Sequence, residues 1–323
     1  MRDLVERWYS SFLYPAIQHA VTSISNLTPI AFLDIVIVAA LIGVVLVWWT
    51  QRPGRAAATT VAAVAGLYVA FQLLWGLNYH RVRLTEKLVL HRPVPSTADV
   101  VALGQEAVRR LNALHGKAHA QGWQEPVWKH TALLDASARV QELLGARQTA
   151  VAGRLKHSAF GMVFRWNGVD GMVNPFGLDV IANPDLLPYE RPFVAAHEWA
   201  HLAGYADESE ANFVGWLTCV RADEPSQYSG WLFLYWQVAG ELPRAHADAL
   251  AVSLSRGPRR DLDAIADRLR RGEWAPLRRV SWAAYDQYLK ANAVQSGIRS
   301  YGEVVTLLLR ARFEDGWRPV RRR

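Results

Sequence analysis

The sequence predicts a mainly α-helical protein with a small β-sheet, joined to an N-terminal transmembrane helical hairpin. Three observations carry this reading. Two long apolar runs without charge precede residue 80. Apolar residues recur at helical spacing through most of residues 97–312. One glycine-punctuated stretch, 158–183, has the composition of strands and turns. With 51% hydrophobic and 20% charged residues, the 323-residue chain cannot be intrinsically disordered. Its one cysteine, Cys219, excludes an internal disulfide framework and a thiolate metal cage. Its 14 tryptophans suit a protein with an interface that is wet on one side and apolar on the other.

Residues 1–30 form the first segment. Trp8, Tyr9, Phe12, Leu13, Ile17 and Val21 recur at helical spacing behind Arg2, Asp3, Glu6 and Arg7. That pattern predicts an amphipathic helix lying on a membrane or on the later domain. Residues 31–79 form the second. The run 35–49 carries no charge, and residues 31–33 extend it past Asp34, giving a span of about 28 Å at 1.5 Å per residue. A polar turn at 50–55 leads to a second run, 56–77, broken only by Thr59, Thr60 and Gln72. Trp48, Trp49 and Trp75 sit where an aromatic belt belongs. Arg52 and Arg55 in the turn, against no basic residue in the 20 before the first run, place the turn in the cytoplasm and both flanking segments outside it. Arg81, Arg83 and Lys87 argue the other way. The spans carry only Asp34 as an ionisable group, which gives little support to a transporter.

Residues 80–323 form one further domain. Helices are expected over 97–121, 132–144, 193–203, from about 207 to 221, and over 228–255, 261–271, 280–296 and 301–312. Strand character is expected for Phe160, Met162, Val163 and Phe164, and then for Met172, Val173, Val180 and Ile181. The net charge of +7 is concentrated late: residues 250–323 hold 16 Lys/Arg and 8 Asp/Glu, a surplus of +8. Acids interleave with these arginines, so a solvated helical face is expected, and no nucleic-acid partner.

The chemistry resides in His197-Glu198-Trp199-Ala200-His201, an HExxH string. On a helix, i and i+4 share a face, so both imidazoles can reach one ion. Zinc accepts nitrogen and oxygen ligands without cysteine. Glu198 would then act as general base on an activated water. Pro192 starts the helix and Gly204 ends it. The third ligand is expected to be Glu208, with Glu210 and Asp207 as alternatives; Asn212, four residues after Glu208, could orient a ligand histidine. Val173, Val180 and Ile181 could form an edge strand that pairs with substrate, and Asn174 could bond the substrate backbone. Tyr228, Tyr285, Tyr288 and Tyr301 are candidate oxyanion donors, each more simply read as packing, and His157 and His246 read as ordinary histidines.

The string from His197 to Phe213 resembles the pattern HExxHxxGxxxExEANF of the bacterial membrane proteins grouped as domain-of-unknown-function family 3810. Trp75-Gly76-Leu77-Asn78-Tyr79, Gly171-Met172-Val173-Asn174-Pro175-Phe176, Tyr228-Ser229-Gly230, Tyr288-Leu289-Lys290-Ala291-Asn292 and Gly297-Ile298-Arg299-Ser300-Tyr301 are similar to further blocks of that family. Gly177-Leu178-Asp179 departs from a Thr-Gly-Glu-like stretch, and the family's additional N-terminal span has no counterpart in residues 1–30. The resemblance implies an α+β zincin-like domain related to the glutamate zincins, in which a helix after HExxH carries Glu and, four residues on, Asp or Asn. It implies a membrane-anchored metallopeptidase of bacteria, and the two apolar runs with the arginines of their turn make the expectation a two-pass protein of the cytoplasmic membrane with an extracytoplasmic catalytic domain. Zn2+ would be the cofactor, and a peptide or protein substrate and the lipid bilayer the partners. A non-catalytic membrane protein with a structural zinc site is the rival reading.

Overall fold

The computed structural model describes residues 2–91, 94–291 and 303–322. Residues 292 and 297–301, with Tyr301, lie outside these, as do the side chains of Tyr285 and Tyr288. The architecture is mainly helical, with a three-stranded mixed sheet, a two-stranded sheet, and two N-terminal apolar helices long enough to cross a membrane.

Arg2–Leu4 (α1), a π-helical stretch Val5–Leu13, and Tyr14–Asn26 (α2) follow one another without a break. Their inner face joins the core through Tyr9 and Tyr14, with Val5, Ile17 and Val21 packed against it, and it also buries polar groups. Gln18, Thr22 and Ser25 are buried, while Leu4, Trp8, Phe12, Leu13, Ile24 and Leu27 are exposed. The buried polar groups reach the main chain of the large domain. Gln18 accepts from the Val151 N–H and donates to the Val151 carbonyl, and Thr22 donates to the Leu178 carbonyl at 2.9 Å. Asn26 donates to the Ala152 carbonyl and accepts from the Arg154 N–H. A segment that hydrogen-bonds inward and turns apolar side chains outward suits a lipid surface.

Phe32–Thr50 (α3) and Pro53–Leu74 (α4) are the two apolar helices. They leave Leu41, Val45, Leu46, Val61 and Val64 exposed. Their few polar side chains pair with each other: Trp48 Nε1 donates to Thr60 Oγ1 and Thr59 Oγ1 to Gln51. Asp34 is taken up at the domain junction, where it accepts from Ser158 Oγ and the Ala159 N–H. A 3-10 turn, Gly76–His80, and the short Leu84–Lys87 (α5) then lead into the domain.

Thr97–Gln121 (α6) opens on a capping box: Ser96 Oγ accepts from the Asp99 N–H, and Asp99 accepts from the Ser96 N–H. Thr131–Leu143 (α7) follows, then strand Leu155–Lys156 (β1). The strand character expected around 160–164 is corrected: Gly161–Asn167 is a helix (α8), closed by Gly168 at φ 63. So short an apolar run suits either state, and the left-handed glycine at its end selects the helix. Gly171–Asn174 (β2) and Asp179–Ala182 (β3) form a hairpin in the order β1-β3-β2, with β1 parallel and β2 antiparallel to β3. The edge strand is therefore β2. Val180 and Ile181 lie in the central strand, fully buried, which corrects their expected place at the edge.

Arg191–Leu202 (α9), Glu208–Cys219 (α10) and Glu224–Glu241 (α11) carry the core. Every residue of α10 is buried, and Trp199, Trp216 and Trp231 are all but inaccessible. The helix expected over 228–255 divides at Pro243 into α11 and Arg244–Ser253 (α12), as a proline without an N–H requires. Arg256–Gly272 (α13), Ala275–Ala291 (α14) and Glu303–Arg310 (α15) follow, then a ribbon of Phe313–Glu314 (β4) and Arg318–Pro319 (β5).

One buried ion pair ties three of these parts together. Lys156 Nζ lies 3.5 Å from Asp179 Oδ2, with both side chains inaccessible, and donates to Ser25 Oγ at 2.6 Å and the Ile30 carbonyl at 3.0 Å. Asp179 in turn accepts from the Phe32 N–H at the start of α3. Lys156→Met is expected to destabilise the fold by about 3–5 kcal/mol, because it strands a buried carboxylate. Denaturant unfolding in detergent measures this, and an unchanged midpoint would contradict it.

Candidate metal centre

Helix α9 has Pro192 in its first turn and ends in a left-handed turn at Gly204, φ 85, where the Tyr205 N–H returns to the Ala200 carbonyl. Only glycine adopts that conformation without strain. The chain then reverses and Asp207 caps α10, accepting from the N–H groups of Ser209 and Glu210. Helices α9 and α10 approach closely at Gly215, where a Cβ would lie 3.0 Å from the His197 Cα.

This packing brings three donors together. His197 Nε2 and His201 Nε2 are 3.1 Å apart, and each is 3.4 Å from Glu208 Oε2. His201 Nδ1 is 2.7 Å from the Tyr205 carbonyl, which can only accept. Nδ1 therefore carries the proton, and in the neutral ring the Nε2 lone pair faces His197 and Glu208. His197 Nδ1 has no hydrogen-bond partner among the described residues. Three electron-rich atoms this close need a cation among them, proton or metal. Burial opposes charge on His201, but the Glu208 carboxylate overrides it and pushes the pKa up to about 9. Burial likewise opposes ionisation of Glu208, and His201 and His197 hold it well below the usual carboxylate range.

The other two acids after Gly204 are turned elsewhere. Asp207 is the helix cap, and Glu210 accepts from the Leu84 N–H at 2.5 Å. Burial, then the nearby Asp207, pushes the Glu210 pKa up to about 7. Glu198 is buried beside the two histidines, with Oε2 unpartnered among the described residues. Burial raises its pKa against the pull of His197 and His201. Strand β2 passes directly over it: a Cβ on Gly171 would lie 2.6 Å from Glu198 Oε1. Gly171→Val is therefore expected to displace the carboxylate and abolish any reaction that depends on it while zinc content is retained. Elemental analysis beside a turnover assay tests this, and full turnover would refute it.

Two expected roles are corrected. The Asn174 side chain is fully buried and bonds Asp179 Oδ1 and the Phe176 N–H, so it builds the β2–β3 turn. Asn212 is buried on α10, but no hydrogen bond joins it to either imidazole, and its Nδ2 has no partner among the described residues. The Tyr205 carbonyl orients His201 in its place. The Tyr228 hydroxyl donates to Asp261. His157 bonds the Ala182 carbonyl, and His246 is exposed.

A cavity of about 670 Å³ opens on the three donors and Glu198. Its walls are apolar: Phe71 and Trp75 from the foot of α4, Met172 and Phe176 from the β2 hairpin, Trp282 from α14. Trp75 packs edge-on to the His201 ring at 6.1 Å. Sequence reasoning missed Gly171, Tyr205 and these walls. Tyr205 was signalled only by its place four residues after His201, next to the helix-ending glycine.

Comparison with curated proteins and with solved structures yields no match. The pattern of the family described as "Protein of unknown function (DUF3810)" matches residues 9–309, and the chain belongs to that family.

Proposed function

We propose that the chain is a membrane-anchored zinc metallopeptidase related to the glutamate zincins, with His197, His201 and Glu208 as metal ligands and Glu198 as general base. The observation that carries this reading is the convergence of two imidazole nitrogens and one buried carboxylate oxygen within 3.1–3.4 Å, with the His201 tautomer fixed by a main-chain carbonyl. Borderline-soft zinc suits that donor set, and the set fits it in number and kind.

Zinc held there supplies Lewis acidity, which acidifies water and polarises a carbonyl. The chain's own residues do the rest. Glu198, with a free carboxylate oxygen beside the ligands, takes a proton from the attacking water and returns it to the leaving amine. Strand β2, the sheet edge beside Glu198, offers its main chain for pairing with an extended peptide. The aromatic walls accept apolar side chains and exclude water.

The position of the cavity supports a substrate held at the bilayer. Phe71 belongs to an apolar helix that could span the membrane, and the exposed Phe160, Met162 and Val163 follow the residues that bond Asp34 at the start of α3. Substrate apolar segments would thus enter beside the lipid surface. A purely structural zinc site is the rival, and the open cavity over the donors argues against it, since structural sites are closed by a fourth protein ligand. Detergent-purified protein, assayed for zinc and against a peptide library alongside Glu198→Gln, tests the proposal. Zinc without any metal-dependent cleavage would favour the rival.

A further inference from the structure

A second cluster of similar donors lies on other helices. His115 and His119 stand one turn apart on α6, the same i, i+4 spacing that joins His197 and His201 on α9. Asp261 faces them from α13. His119 Nε2 lies 2.8 Å and His115 Nε2 3.6 Å from the same oxygen, Asp261 Oδ2, and all three donor atoms fall within 4.8 Å of one another. The two imidazole rings are 4.2 Å apart between centroids. From α11, the Tyr228 hydroxyl donates to Asp261 Oδ2 at 2.6 Å, which fixes the carboxylate.

Accessibility also suits a ligand. The Asp261 side chain is 12% exposed, whereas His115 and His119 are 27% and 37% exposed, so the donors line a shallow site with one side open to water. A hydrogen-bond network alone leaves this arrangement half explained. Asp261 Oδ2 binds His119 and Tyr228, while His115 Nε2, at 3.6 Å, is brought near without reaching hydrogen-bond length. Gly257, one turn before Asp261, permits the approach, because any side chain there would collide with the His115 ring.

We propose that His115, His119 and Asp261 form a second divalent transition-metal site, with a water-accessible fourth position. Two imidazoles and one carboxylate select zinc or its late first-row neighbours over calcium and magnesium, which prefer oxygen ligands. An ion here would cross-link α6 to α13. Helix α13 carries Arg268, which donates to Asp170 at 2.8 Å and Glu190 at 2.6 Å. Asp170 precedes Gly171 on β2, and Glu190 precedes the first residue of α9. Metal at the second site would therefore brace both elements that frame Glu198, from outside the cavity.

The test is a zinc titration of the full chain in detergent, comparing wild type, His201→Ala, and His201→Ala combined with His119→Ala or with His115→Gln. Bound zinc is counted by elemental analysis, and the thermal midpoint is followed with and without Zn2+. The proposal expects one zinc equivalent to remain in His201→Ala, raising its midpoint, and both effects to vanish in the two double variants. His115→Gln guards against misfolding, since it removes a group that makes no close bond to Asp261. The proposal is overturned if His201→Ala binds no zinc, or if the double variants bind as much as it does. The outcome is independent of the peptidase reading: if that reading fails, wild type and His201→Ala each still keep one equivalent, which the double variants lose.

Discussion

Glu198→Gln is expected to retain the zinc content of the wild type while peptide hydrolysis falls by about 10²–10⁴-fold, the usual contribution of general acid–base catalysis. The amide has the shape of the carboxylate and fits the same space beneath Gly171, where the absence of a side chain leaves room for it. What it lacks is the ability to accept and return a proton. Stability moves the other way if at all, because the substitution removes a charge that burial disfavours. The thermal midpoint should stay level or rise. A variant with full turnover would refute the proposed role of Glu198, and one that lost zinc would show that Glu198 acts on the metal site itself.

Glu208→Ala is expected to lower zinc affinity by more than the 10–100-fold that accompanies loss of a residue supporting a ligand. Glu210→Gln and Asp207→Asn should leave that affinity within a few-fold of wild type. The discrimination follows from direction. Glu208 Oε2 is 3.4 Å from both imidazoles, Glu210 accepts from Leu84, and Asp207 caps α10. Competition titration with a chromophoric chelator measures all three, and equal losses across them would defeat the assignment of Glu208. Removing Glu208 also leaves the buried His201 imidazole without the carboxylate that faces it, so this variant should be the least stable of the three.

The sequence disclosed the local parts of this structure well. The proline and glycine that bound α9 and the two apolar runs are each set by neighbours within a few positions. The three acids after Gly204 could not be separated in the same way. Their side chains point apart only because α10 begins at Glu208 and crosses α9 at Gly215, a tertiary contact. Asn174 misled for a related reason: a polar residue on a strand near a catalytic helix suggests substrate binding, yet its partner is Asp179 across the hairpin. The second cluster escaped sequence reasoning altogether, because the carboxylate that gives His115 and His119 meaning, Asp261, is 142 residues from His119.

The N-terminal segment that precedes the apolar hairpin bears on how the molecule can be divided. A fragment beginning at residue 80 separates the domain from the two apolar helices. It would also leave the Val151 N–H and the carbonyls of Leu178 and Leu202 without Gln18, Thr22 and Tyr14. Arg81 and Lys87 would lose Glu6, and Lys156 would lose Ser25. Residues 2–26 are thus an outer wall of the domain they precede, and the hairpin is a loop inserted after that wall. Cutting the chain within the hairpin and rejoining its ends, with residues 2–26 retained, respects the way the molecule is held together.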